Sequence, residues 1–176
     1  NLPLIRKVAA TQKPMIISTG MSYLSEVQDA LMEVAKCGNP NVILMQCTSS
    51  YPCPPETMNI KAIDTMKQAF NDLPVGISDH VIGDMVSLGA VARGANIIEK
   101  HFTIDKEMEG PDHILSMTPE EFSNMRERVR IVEKSLGDGI KQPSSSEIAS
   151  VIRFRKTMYA KNDIKKGTVI NENDII

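Results

Sequence analysis

Gly76-Ile77-Ser78-Asp79-His80 and Ile97-Ile98-Glu99-Lys100-His101-Phe102-Thr103 are the stretches on which the reading of this chain turns. Each is an apolar, β-branched run that ends abruptly in charged or metal-capable side chains. One short helical pattern separates them, which makes them successive strands of a βαβ unit. Parallel neighbours carry their functional groups at the carboxyl ends of the strands. His80 and His101 therefore fall on one rim, within reach of a shared metal ion. The chain has three histidines, and two of them stand at strand ends. That placement marks an active site.

The same strand-then-helix rhythm extends in both directions. Pro14 to Thr19 is a short apolar run closing in Ser18-Thr19-Gly20, followed by a helix with Leu24, Val27, Leu31 and Val34 on one face and Gly38 as its stop. Val42 to Cys47 is the second run, ending in Thr48-Ser49-Ser50-Tyr51-Pro52, and its helix carries Ile63, Met66 and Phe70. Val75 to Ile77 is the third, with Met85, Leu88 and Ala92 on the helix that follows. Asn96 to Glu99 is the fourth and leads into His101 and a long loop. Thr118-Pro119-Glu120-Glu121 opens the last helix with a cap, a first-turn proline and a glutamate at the third position. Phe122, Met125, Val129, Val132 and Leu136 form its apolar stripe, and Gly137 ends it.

Parallel strands covered by helices imply an α/β fold, either an open doubly wound sheet or half of a (β/α)8 barrel. No strand-to-helix turn reads GxGxxG or GxxxxGKS, which argues against a nucleotide-binding sheet. Strand ends rich in hydroxyls, carboxylates and histidine suit the catalytic rim of a barrel. Beyond Gly139 the character changes. Lys141-Gln142-Pro143-Ser144-Ser145-Ser146-Glu147 reads as a polar linker, and Thr157 to Ala160 and Thr168 to Ile170 read as strands around a Lys165-Lys166-Gly167 turn.

The 176 residues suffice for one ordinary core, with 41% hydrophobic and 24% charged residues. A formal net charge of -2 gives no reason for a nucleic-acid partner, and no apolar run reaches membrane-spanning length, so no membrane partner is expected. Cys37, Cys47 and Cys53 are odd in number and lack CxxC spacing, which fits a reducing cytoplasm better than a disulfide scaffold. The chain opens at Asn1 without methionine and closes on Asn171-Glu172-Asn173-Asp174-Ile175-Ile176, and the expectation is a piece of a longer protein.

Neutral imidazoles are good ligands for divalent first-row metals, and two of them leave coordination positions for water and substrate. Asp79 and Glu99 either orient the imidazoles or bind substrate hydroxyls; the competing reading is a salt bridge to Lys100 or another rim cation. Ser18, Thr19, Thr48, Ser49 and Ser78 line successive strand ends with hydroxyls, as a phosphate or sugar site would, although such hydroxyls also serve as helix caps. His113, in Gly110-Pro111-Asp112-His113, is equally a loop-packing residue. The eleven methionines fall mostly on helix stripes and read as core.

With these residues in hand, the chain resembles the sialic acid synthase family. The matching pieces are Lys13-Pro14-Met15-Ile16-Ile17-Ser18-Thr19-Gly20-Met21, Gln46-Cys47-Thr48-Ser49-Ser50-Tyr51-Pro52, the two runs quoted first, and Gly110-Pro111-Asp112-His113. Tyr159-Ala160-Lys161-Asn162-Asp163-Ile164-Lys165-Lys166-Gly167 looks like the opening of the family's antifreeze-like (SAF) domain. The resemblance implies the C-terminal half of a (β/α)8 TIM barrel, strands five to eight over residues 1–140, a linker over 141–152, and the start of the small β-rich domain over 153–176. It implies condensation of phosphoenolpyruvate with N-acetylmannosamine and water to give N-acetylneuraminate and phosphate. By the same resemblance His80 and His101 bind a divalent metal, Mn2+ or Mg2+, Glu99 joins them in catalysis, and Ser78 contacts the phosphate of phosphoenolpyruvate. Tyr51, Glu99 and Asp112 approach the amino sugar, and Ser49 stands where some members place an asparagine against phosphoenolpyruvate. A homodimer with a domain-swapped active site is implied as well.

Legionaminate and pseudaminate synthases are alternatives within this class, and a metal-dependent barrel aldolase or isomerase is an alternative outside it. Phosphate release that requires both substrates separates the two classes. A non-catalytic sugar-binding module is a third reading, against which both histidines and the Ser-Asp-His run speak.

Overall fold

The computed structural model describes residues 1–71 and 73–176, in two compact units, residues 1–137 and 138–176. In the first unit β1 (Met15–Ser18), β2 (Val42–Cys47), β3 (Val75–Asp79) and β4 (Ile98–Lys100) form one parallel sheet in sequential order. Helices α2 (Leu24–Lys36), α3 (Ala62–Ala69), α4 (Met85–Ala92) and α5 (Pro119–Ser135) follow the strands in turn, and α1 (Leu2–Ala9) precedes them. This is an α/β half-barrel, one of the two folds that the strand–helix rhythm allows and the one that the strand ends favour. No helix among the described residues is long and apolar enough to cross a membrane.

Side chains alternate between the two faces of a strand. Met15, Val42, Leu44, Val75 and Ile77 belong to one buried cluster with Val27, Val34, Ile63, Met66 and Ala90 from the helices. Full burial of a residue such as Leu44 or Ile77 contributes about 1.5–3 kcal/mol. The opposite face carries Ile16, Ser18, Met45, Cys47, Gly76, Ser78 and Glu99. At its centre Met45 and Ser78 are buried, while Ile16 at one edge is 57% exposed. Gly76 has no room for a side chain: a Cβ there would lie 2.6 Å from the Ile97 carbonyl oxygen and 2.6 Å from Met45 Sδ.

The expected ends hold for α2, where Gly38 takes a φ of +68°, and for α5. Thr118 Oγ1 accepts from Glu121 N at 3.3 Å while the Glu121 carboxylate accepts from Thr118 N at 3.0 Å. Other expectations need correction. β3 runs two residues beyond Ile77, because Ser78 and Asp79 pair with Glu99 and Lys100. β4 starts at Ile98, since Asn96 instead closes on Val75 through its own N–H, at 2.8 Å, and its Oδ1, at 3.2 Å. α4 buries Ser87, Ala90 and Val91, not Met85 and Ala92, because small side chains let the helix sit close to β3. On α5 only Met125 is fully buried, and Phe122 and Leu136 are 39% and 51% exposed. Helix α1 has no counterpart in the sequence reading. Asn1 Oδ1 accepts from Leu4 N at 3.3 Å, and Pro3 occupies its first turn.

In the second unit the runs 157–160 and 168–170 are not strands. Tyr159 instead exchanges two backbone hydrogen bonds of 2.9 Å with Ile176, flanking a single antiparallel bridge between Ala160 and Ile175. The turn at Lys165 to Gly167 forms as expected, with Thr168 N donating to Lys165 O at 3.1 Å. A helix, α6 (Ile148–Phe154), lies where the sequence reads as the end of the linker.

Glu33, on α2, bonds Lys36 at 2.6 Å and Arg6 of α1 at 2.7 Å, and these cations hold its carboxyl below the usual range. Lys106 and the Thr118 N–H do the same for Glu121. A carboxyl lowered by folding stabilises the fold above its unfolded pKa, and that contribution disappears as pH falls through the folded value. The thermal midpoint should therefore fall on acidification below about pH 5, and should fall less in a Glu33→Gln, Glu121→Gln double variant. Equal slopes would exclude these two carboxyls as contributors. Gly76→Ala should cost about 1–3 kcal/mol in urea unfolding, and an unchanged midpoint would show that β3 and β4 can separate freely.

Candidate active site

Alternation along β3 and β4 sorts the functional side chains before any loop is considered. Ser78 and His80 share a face, Glu99 and His101 share the same face, and Asp79 and Lys100 turn the other way. Ser78 is opposite Glu99 in the register, and its hydroxyl donates to Glu99 Oε1 at 2.6 Å. The Ser78 Oγ itself lies 3.3 Å from His80 Nε2. On the far side of the ring, His80 Nδ1 donates to the Thr48 carbonyl at 2.9 Å.

The two imidazoles meet edge to face, with ring centroids 5.2 Å apart and planes at 89°. Tyr51, from the loop after β2, leans over both, 4.2 Å from the His80 ring and 5.7 Å from the His101 ring. Burial first, then the charges of Cys47, Asp112 and Glu99, push the Tyr51 phenol up from its ordinary value. The phenol therefore keeps its proton at neutral pH and can donate. Asp112 Oδ2 approaches His101 Nδ1 at 3.9 Å, too far for a hydrogen bond but close enough to act by charge. His80 is only 4% exposed, whereas Tyr51 is 52% exposed, so the cluster is buried at its base and open at its lip.

Ser78, His80, Glu99 and His101 are thus brought together, as the strand-end positions predict, and the loops add Tyr51 and Asp112, which only the family resemblance places there. Ser49 is not drawn in by any side-chain hydrogen bond among the described residues. It is exposed, with its hydroxyl crowding Gly20. Asp79 makes no hydrogen bond to either imidazole; its oxygens take Val81 N, Ser87 Oγ and Lys100 Nζ. It forms a buried pair with Lys100, which is the competing reading of the sequence. Glu99 takes the Ser78 hydroxyl. The remaining rim hydroxyls serve the backbone, with Thr19 donating to Met45 O at 2.8 Å and Thr48 to Thr57 O at 3.0 Å. His113 packs in its loop, 2.8 Å from Thr103 Oγ1. Cys37, Cys47 and Cys53 are free. A cleft of about 470 Å3 opens between Tyr23, Gln46, Asn59 and Thr65 on the first unit; Thr19 and Cys47 line it, whereas Ser78, His80, Glu99, His101, Tyr51 and Asp112 do not.

Sequence reasoning missed the Thr48 carbonyl, which fixes the His80 tautomer. A backbone acceptor carries no residue-type signal. The tautomer decides what the site can hold. With Nδ1–H committed to Thr48, the neutral ring presents a lone pair at Nε2, and Ser78 has already given its one hydrogen to Glu99. Nε2 stands 3.3 Å from Ser78 Oγ on this face, where a ring nitrogen and a hydroxyl oxygen are both possible donors to a cation. Among the described residues no group of three or more His, Cys, Asp or Glu is disposed around one metal position. His80 and His101, with ring centroids 5.2 Å apart, are the imidazoles on this face that could hold a divalent ion, with water or substrate oxygen completing its coordination.

Against known proteins, a sequence profile of the NeuB family matches residues 1–141. The N,N'-diacetyllegionaminic acid synthase of Campylobacter jejuni is 45% identical over 177 residues, 99% of this chain and 53% of that protein. The human N-acetylneuraminate-9-phosphate synthase is 38% identical over 170 residues, 97% of this chain and 47% of that protein. Among solved structures, the N-acetylneuraminic acid synthetase of Leptospira borgpetersenii superposes with a TM-score of 0.79 at 35% identity, over 87% of this chain and 53% of that one. The chain spans about half the length of the curated relatives it matches.

Proposed function

The chain belongs to the NeuB family, and from that premise we propose that its rim is the C-terminal half of the active site of a phosphoenolpyruvate-condensing nonulosonate synthase. The observation that carries the reading is the convergence of Ser78, His80, Glu99, His101 and Tyr51 on one open face. In the reaction, C3 of phosphoenolpyruvate bonds to the aldehyde carbon of an N-acetylated hexosamine. Water adds at C2, and phosphate departs with its C–O bond broken. N-acetylmannosamine, giving N-acetylneuraminate, is the sugar proposed first. The amino sugars of legionaminate and pseudaminate synthases are the alternatives.

His80 and His101 would hold the divalent ion, Mn2+ or Mg2+. When bound, such an ion supplies Lewis acidity toward a carbonyl oxygen. The chain's own groups do the rest of the positioning. Thr48 keeps His80 in the Nδ1–H tautomer, leaving Nε2 toward the open face. Ser78 exchanges its acceptor, from Glu99 to a phosphate oxygen of phosphoenolpyruvate, and Glu99 is then free to accept from a sugar hydroxyl. The Tyr51 ring shields the imidazoles from water, and its phenol and the Asp112 carboxylate meet the sugar from the open side. Ser49, exposed beside Gly20, has a minor part in binding phosphoenolpyruvate. The proposal includes a homodimer with a domain-swapped site, residues 153–176 as the start of the antifreeze-like domain, and a cytoplasmic location.

In the full-length protein, inorganic phosphate should appear only when phosphoenolpyruvate and an N-acetylated hexosamine are both present, and the sugar with the highest kcat/KM identifies the product. His80→Ala and His101→Ala should each abolish turnover and weaken Mn2+ binding. Turnover of a phosphorylated sugar without phosphoenolpyruvate would move the protein to the aldolase or isomerase class. Ser78→Ala should raise the KM for phosphoenolpyruvate more than that for the sugar, by about 10- to 100-fold for one lost hydrogen bond to a charged group. A larger rise in the sugar KM would reverse the assignment of the two subsites.

A further inference from the structure

Directly behind the two histidines lies a charged pair that the proposed reaction does not use. Asp79 and Lys100 are opposite one another in the β3–β4 register, one residue before His80 and one before His101. Both side chains are 0% exposed, and Lys100 Nζ lies 3.1 Å from Asp79 Oδ2. Asp79 Oδ1 accepts from Val81 N at 2.9 Å, and Oδ2 accepts from Ser87 Oγ at 2.6 Å. Lys100 Nζ also donates to the Val81 carbonyl. Val81 is therefore held through both of its backbone groups and Asp79 through both of its oxygens. His80, between them, has its main chain fixed on either side, and its own carbonyl accepts from Cys53 N at 2.9 Å.

A buried ion pair is not an economical way to join two strands. Apolar residues of similar volume are often as stable or more so, whereas removing one partner alone leaves an uncompensated buried charge. Sheet stability alone gives no reason for charge at this place, although the pair also fixes the β3–β4 register. Its position, adjoining both imidazoles in sequence and on the reverse face of the same two strands, does give one.

We propose that the Asp79–Lys100 pair, with Ser87, is a positioning brace that sets how the His80 and His101 rings face each other, and through them the affinity of the rim for a divalent cation. The affinity part rests on the metal reading above; the ring geometry does not. Asp79 and Lys100 touch neither substrate nor metal and act only through the histidines.

The test uses the full-length protein carrying Asp79→Asn with Lys100→Met, and separately Ser87→Ala. Each is measured for thermal midpoint, for Mn2+ affinity by calorimetry, and for the His80 Nδ1–H proton signal in metal-free protein. The single variants Asp79→Asn and Lys100→Met should lower the midpoint strongly. The double variant should recover most of it yet bind Mn2+ about 10- to 100-fold more weakly and show a shifted or lost His80 signal. A purely structural pair would not separate stability from affinity in this way. Ser87→Ala removes a single hydrogen bond and should keep the fold, with a several-fold loss in the same direction; it decides the matter if the double variant does not fold. A folded double variant, or failing that a folded Ser87→Ala, with wild-type Mn2+ affinity and an unshifted His80 signal overturns the brace. If the wild-type protein binds no Mn2+, the metal reading fails and the His80 signal alone judges the brace.

Discussion

Three opposed pairs, Ile77 with Ile98, Ser78 with Glu99 and Asp79 with Lys100, join β3 to β4, and the arrangement of the rim depends on them. A slip of one residue would exchange the two faces of β4, bringing Lys100 onto the rim and carrying Glu99 and His101 into the helix layer. A slip of two would keep the faces but pull Lys100 away from Asp79, leaving a carboxylate buried at 0% exposure without its partner. The cost of such an unpaired charge, about 3–5 kcal/mol, is a large share of a typical domain's stability. The pair thus selects one register among otherwise similar apolar alignments, because Ile97, Ile98, Val75 and Ile77 alone would tolerate several.

From that register the site is assembled by loops. The segment after β2 supplies the Thr48 carbonyl to His80 Nδ1 and lays Tyr51 over both rings, and Cys53 N ties it to the His80 carbonyl. The segment after β4 returns Asp112 to His101 and then binds back, with Thr103 N and Met117 O at 2.9 Å and Met117 N and His101 O at 2.8 Å. β1 takes a supporting part, since Thr19 closes on Met45 O beside the rim. Gly76 permits all this by admitting Met45 and Ile97 to the space a side chain would fill.

Much of this was legible because the relevant signals are local. A β-branched run ending in Ser-Asp-His or Glu-Lys-His shows both the strand and the rim, and Thr118 to Glu121 shows a helix start in four residues. What could not be read depends on distant partners. Asp79 next to His80 looks like an orienting carboxylate until the backbone turns it toward Lys100 and Ser87. The buried face of α4 is centred on Ser87 and Ala90 because Asp79 and close packing on β3 select small residues there, whereas hydrophobicity alone favours Met85. The runs at 157–160 and 168–170 have strand-like composition, but Tyr159 finds its partner at Ile176, and pairing between distant residues has no local signature.

The sorting of charge across the sheet has a consequence for what the rim attracts. Lys100 is the cation nearest the histidines in sequence, yet it is turned behind the sheet and matched by Asp79. On the open face stand the Glu99 and Asp112 carboxylates, the Ser78 oxygen, whose hydrogen points to Glu99, and the His80 and His101 rings. These are acceptors in excess of donors, and Tyr51 contributes one hydrogen against them. Such a surface favours a cation and disfavours an anion at close range. On the proposed assignment, phosphoenolpyruvate held against Ser78 would need positive charge beyond these side chains, and a divalent ion between His80 and His101 would supply part of it. Metal and anionic substrate should consequently bind with positive coupling, each tightening the other by the same factor.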